Sequence, residues 1–103
     1  MMRLSTHAKE RWQQRCSHLD LEAEWAAQRP ASKRLLNMLR RSWERSQGVG
    51  TWPAQYDYWV TPGGAVFVAD CGAVITVMTI KDIKRWDQRA TADDRLKRRH
   101  VIL

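Results

Sequence analysis

His7, Arg11 and Arg15 stand four residues apart in the segment Thr6-His7-Ala8-Lys9-Glu10-Arg11-Trp12-Gln13-Gln14-Arg15. On a helix each step of four turns by about 40°, so one imidazole and two guanidiniums lie along a single drifting band. They could then converge on one anionic group. Imidazole titrates near neutrality and moves protons, while Arg grips a phosphate bidentately without losing its charge. Metal-independent cleavage of RNA asks for such a set: one group to move the 2′-OH proton, and cations to hold the phosphate as charge builds on its oxygens. On spacing alone, a solvated basic helix face beginning with His is the simpler account of the same residues.

The rest of the charge agrees with a polyanionic partner. The 103 residues carry a net charge of +7, distributed as +3 over residues 1–18, +2 over 19–50, −2 over 51–80 and +4 over 81–103. No Lys or Arg falls in 51–80. A basic surface with this asymmetry favours nucleic acid or another acidic partner through phosphate neutralisation and counterion release.

The elements that must position these residues can be read from periodicity. Leu4, Ala8, Trp12 and Cys16 form an apolar stripe on a first helix over Thr6 to Cys16, with Ser5 or Thr6 as its N-cap. Asp20 suits the cap of a second helix over Leu21 to Gln28, closed by Pro30. Ser32 suits the cap of a third, which sends Leu35, Leu36, Met38, Leu39 and Trp43 inward and Arg34, Arg40, Arg41 and Arg45 outward, and stops near Gly48. After Gly48 the pattern changes. Tyr56 to Thr61, Ala65 to Ala69 and Ala73 to Ile80 are β-branched and aromatic, with turn sequences Pro62-Gly63-Gly64 and Asp70-Cys71-Gly72 between them. Ala73 to Ile80 is apolar on both faces, which places it centrally or under a helix.

The expected fold is therefore α+β: N-terminal helices packed on a three- or four-stranded antiparallel β-meander, followed by a basic C-terminal tail or short helix. The expected organisation is one domain over 1–103, with a helical part at 1–48, the sheet at 51–80 and the basic segment at 81–103. In that last segment Asp93 or Asp94 suits the start of a final helical turn carrying Lys97, Arg98 and Arg99.

At two separated places the chain resembles a family. The "HAxxRxxxR" opening over His7 to Arg15, and Gly72-Ala73-Val74-Ile75-Thr76-Val77 near the end of the expected sheet, resemble the first helix and closing "vITv" strand of small bacterial and phage domains akin to BrnT-type and RelE-type ribonuclease toxins. The long Arg-rich third helix and the six Trp have no counterpart in that pattern. The resemblance implies an initial helix lying across the sheet, with His7 as a general acid-base group, Arg11 and Arg15 as phosphate clamps, and Thr76 of the last strand as a positioning group beside an RNA-binding cleft.

Further nucleic-acid contacts are expected from Arg34, Arg40, Arg41, Arg45, Lys97, Arg98 and Arg99, and from Tyr56 and Tyr58, whose rings could stack on bases. Alternation puts Tyr56 and Tyr58 on one face and Trp59 on the other, in the core. Trp12 and Trp43 are core candidates by helical spacing, and Trp52 beside Pro53 suits a seal over the linker.

Cys16 and Cys71 are too few for a disulfide framework or a four-ligand zinc site, and both are expected as buried thiols. His18 and His100 lack partners at ligand spacing and read as surface residues. No metal site and no cofactor is expected. With no apolar leader and no run near the ~18 apolar residues of a membrane span, a cytoplasmic location and no membrane partner are expected. Two function classes remain. One is an RNA-binding, toxin-like endoribonuclease with a His/Arg/Arg/Thr site. The other is a non-catalytic basic adaptor or inhibitor of phage type, binding RNA, other nucleic acid or a protein partner such as an antitoxin or host enzyme. A helix-turn-helix is disfavoured, because Pro30-Ala31-Ser32 lacks the usual tight glycine turn and the sheet would be left over.

Overall fold

A two-residue strand at Arg29–Pro30, where the sequence suggested only the end of a helix, begins a four-stranded antiparallel sheet. The computed structural model describes the backbone of residues 3–101 and the side chains of residues 3–89, 91 and 92. The elements run α1 (Thr6–Cys16), α2 (Leu21–Ala26), β1 (Arg29–Pro30), α3 (Lys33–Gln47), β2 (Asp57–Val60), β3 (Ala65–Asp70), β4 (Ala73–Thr79) and α4 (Ile80–Val101), and the strands lie in the order β1-β2-β3-β4. The architecture is α+β, as its periodicities indicate.

Local chemistry explains the starts. Ser5 Oγ accepts the Ala8 N–H, Asp20 Oδ1 accepts from Glu22 and Ala23, and Ser32 Oγ accepts from Leu35, so each of the first, second and third long helical segments begins on a side-chain cap. Pro30 suits the outermost strand because it has no N–H to offer the ladder; it pairs with Trp59 while Arg29 pairs with Val60.

The sheet carries a helical layer on each face. On one, α1 buries Ala8, Trp12 and Cys16 against Ala65, Phe67, Val74 and Val77, and Leu19, Leu21 and Trp25 pack alongside. Phe67 stacks on Trp12 at 5.8 Å and meets Trp25 edge-on at 5.2 Å. On the other, Leu35 and Leu39 of α3 and Ile83 of α4 close over Val66, with Tyr58, Val60, Met78, Ile80 and Trp86 around them. Burial on both faces marks β3 as an interior strand beside β2, and β4, apolar on both faces in sequence, lies at the edge beneath α1, the second of the two places expected for it. Its outer edge is covered: Ser5 N donates to Val74 O, Val74 N donates to the Arg3 carbonyl, and Leu4 makes a parallel bridge to Val74.

A register shift between Val68 and Ala69 interrupts β3–β4 pairing. Val68 faces Thr76 but Ala69 faces Val74, so Ile75 is an extra residue. Val74 and Val77, three apart, consequently share the α1 face.

Three expectations need correction. Of the tail or short helix expected after the sheet, the structure has a helix, but a long one of 22 residues that starts at Ile80 inside the expected third strand: Thr79 Oγ1 accepts the Asp82 N–H, and Ile80, Ile83 and Trp86 anchor its first turns on the sheet. Cys71 is exposed, because it sits with φ 51 in the two-residue turn that it forms with Gly72. Trp43 is 39% exposed; its Nε1 donates to Thr51 O and Oγ1 and its ring meets Trp52 edge-on. Residues Asp93, Asp94, Lys97, Arg98, Arg99 and His100 fall on helical backbone, but their side chains lie outside the described residues.

Candidate nucleic-acid interface

The stripe on α1 forms as a stripe but does not form a cleft. His7 is exposed at the start of the helix. Arg11 donates to Gln14 Oε1 at 2.7 Å on its own helix. Arg15 is half-buried and donates to the backbone carbonyl of Val77 at 2.8 Å, closing an edge group of β4. Thr76 points the other way. It shares a cavity of about 320 Å³ with Leu39, Trp52, Tyr58 and Trp86 of the α3/α4 side, while its neighbour Val77 packs under α1. The bulge is the reason. Strict alternation would put Thr76 on the face of Val74, which α1 covers; the extra residue Ile75 reverses that relation.

The tyrosines follow the alternation expected of them. Tyr56 and Tyr58 line the α3/α4 cavity and Trp59 packs on the opposite face. Tyr58 stacks on Trp52 at 5.5 Å, and burial, followed by the nearby Tyr56 hydroxyl, pushes its phenol up to about 12. A ring already stacked and enclosed is not a free platform for a base.

The arginines of α3 separate into paired and unpaired. Arg40 bonds Glu44 one turn on at 2.7 Å. Arg41 forms a two-point pair with Asp87 of α4 at 2.9 and 3.0 Å, a hydrogen bond that raises its already high pKa. Arg45 is also engaged. Arg34 makes no hydrogen bond or ion pair with any described residue.

Arg34 instead borders a groove of about 930 Å³ between the α2–β1 connection, the start of α3 and the start of α4. Arg29 and Lys84 border it too, both exposed and both with side chains that make no hydrogen bond or ion pair to a described residue. Among the described residues no Asp or Glu lines the groove, and its floor is apolar, from Leu35, Met38, Val60 and Ile80. Gln28 also contributes to the wall, with its Oε1 shielded from water and without a hydrogen-bond partner. The three cations come from a strand, a helix start and a second helix, so tertiary structure assembles them. The arrangement can hold an anion by charge while an apolar group lies on the floor.

Arg29, Lys84 and Gln28 are the residues that sequence reasoning missed. Arg29 carried a weak signal, since the residue before a proline prefers extended backbone and so suits an edge strand. Lys84 lies on a helix whose start was hidden in a β-branched run. Gln28 carried no signal.

Among the described residues no group of His, Cys, Asp and Glu is placed to hold a metal ion, and no described helix is long and apolar enough to cross a membrane. No protein family matches the chain, and no match is found among curated proteins or solved structures.

Proposed function

We propose that this protein is a non-catalytic RNA-binding module that holds its ligand through phosphate contacts. The observation that carries this reading is the groove bordered by Arg29, Arg34 and Lys84, three cations with no ion pair to a described residue and no carboxylate among the described residues of the lining. Desolvating a phosphate there meets no like charge, and the net charge of +7 adds a long-range attraction. The alternative of catalysis by His7 with Arg11, Arg15 and Thr76 has less support, since Arg15 is committed to a backbone carbonyl and Thr76 lies across the sheet.

Binding of a labelled single-stranded RNA, followed by fluorescence anisotropy over a range of salt, tests the proposal. Three phosphate contacts on a single strand predict a slope of log affinity against log salt of about −2. The combined Arg29→Ala, Arg34→Ala and Lys84→Ala variant should flatten it by about that amount. A salt-independent affinity, or an unchanged slope in the triple variant, would overturn the reading and point to a protein partner.

A further inference from the structure

We infer that the groove between β1, α3 and α4 seats the face of one unstacked base of the bound strand, whatever the base, so that the protein selects single-stranded RNA over duplex. This rests on the RNA-binding reading above and deepens it.

The floor is the first support. Leu35 belongs to the core cluster between the sheet and α3, while Met38, Val60 and Ile80 pack on that cluster and stay half-buried. All four line the groove, so apolar surface is left between the three cations. A sugar-phosphate backbone alone gives that surface nothing to bury, whereas the flat face of a base removes it from water. Arg29, Arg34 and Lys84 at the rim take the adjoining phosphates by charge.

The walls are held before any ligand arrives. Pro30 is fixed by its pairing with Trp59 and by the bond from Ala31 N to Tyr58 O. Pro62 stands in the turn that Gly64 N closes on Thr61 O, and Glu24 Oε2 accepts the N–H of the intervening Gly63. Proline rings on a held backbone leave little for binding to order.

An apolar floor meets a base by its face and does not read its edge. The side-chain oxygens of the lining are engaged or enclosed: Ser32 Oγ accepts Leu35 N–H, Thr61 Oγ1 accepts Ala65 N–H, and Gln28 Oε1 is shielded from water. A duplex keeps its base faces stacked on one another and offers the floor no apolar partner. Charge alone would rank the two ligands the other way, because a duplex carries more phosphate per unit length.

Anisotropy titrations of the whole protein with oligo(U), with an abasic ribose-phosphate oligomer of the same length and with a hairpin duplex test the inference. Burial of one base face predicts that oligo(U) binds about fivefold to tenfold tighter than the abasic oligomer, at the same salt slope, and tighter than the duplex. Equal affinity for oligo(U) and the abasic oligomer, or a preference for duplex, overturns the inference by a change in the ligand alone. Photocrosslinking with a thiouridine oligomer should label the peptides that hold Met38, Val60 or Ile80; labels confined to other parts of the chain overturn the placement. Steep salt dependence with no effect of the base would remove the seat and spare the RNA-binding reading; no binding of any RNA would remove both.

Discussion

The guanidinium of Arg15 on α1 donates to the backbone carbonyl of Val77 on β4 at 2.8 Å, across 62 residues of sequence. β4 is an edge strand, and an uncovered edge presents unpaired carbonyls that template association with other chains. The arginine therefore acts with Arg3, Leu4 and Ser5 as part of the cover over that edge. Replacing it removes a charge-assisted bond and uncovers part of the strand. Arg15→Ala should cost about 1–2 kcal/mol in urea unfolding and increase self-association in light scattering, while Arg11→Ala, whose bond is to an exposed neighbour on the same helix, should change neither.

The Arg41–Asp87 pair ties α3 to α4, but both partners meet solvent, with Arg41 58% exposed. Exposed pairs contribute up to about 1 kcal/mol even when well aligned. Arg41→Ala should lower the midpoint of thermal unfolding slightly, by less in high salt, and should leave the salt slope of RNA binding as it was. A drop in that slope would mean that the pair opens to receive phosphate.

Tyr58 links stability to alkaline pH. Its phenol ionises near 10 in the unfolded chain and is pushed up to about 12 by burial in the folded one, so the folded state holds the proton more tightly. That contribution is complete below pH 10 and is lost as pH rises from 10 toward 12. Burial of the Cys16 thiol acts in the same direction, above its unfolded value of 9.0. Denaturant unfolding across this window should show falling stability, Tyr58→Phe should reduce the slope, and phenolate absorbance should rise late for one tyrosine.

His7 offers the only imidazole on the α1 stripe, and the structure sets Thr76 on the far side of the sheet from it. RNA incubated with the protein in EDTA should stay intact. Products ending in a cyclic phosphate, lost in His7→Ala, would restore the catalytic reading.

Glycine 63 makes a separate point about the β2–β3 turn. A Cβ there would lie 2.7 Å from Glu24 Oε1 and 2.8 Å from the Leu19 methyls, and its N–H donates to Glu24 Oε2. Gly63→Ala should destabilise the fold by no more than about 1 kcal/mol in the same unfolding assay, because the groups met are the carboxylate of Glu24 and the methyls of Leu19, the ends of side chains that can turn aside, at the expense of the bond from Gly63 N–H to Glu24 Oε2.

Much of the local structure is written in short stretches of residues. The four-residue spacing of Ala8, Trp12 and Cys16 defines the buried face of α1, since helical geometry brings such positions together whatever surrounds them. Ser5, Asp20 and Ser32 mark helix starts because a cap acts within three residues. Asp70-Cys71-Gly72 marks a reversal, because Gly72 admits positive φ without strain. Tyr58 and Trp59 are sent to opposite faces by the pleat alone.

What tertiary structure decided is the partnership between distant residues. Strand periodicity ran through Val77, Met78, Thr79 and Ile80 and concealed the start of α4, which depends on Thr79 capping Asp82 and on Ile83 finding the core. The bulge at Ile75 depends on the pairing with β3, and it alone sets Val74 and Thr76 on different faces. Arg34 and Arg41 look alike in sequence, yet one meets Asp87 and the other meets no described partner. The resulting groove joins Gln28, Arg29, Arg34 and Lys84 through packing of three elements, and no periodicity within any one element encodes where the other two will lie.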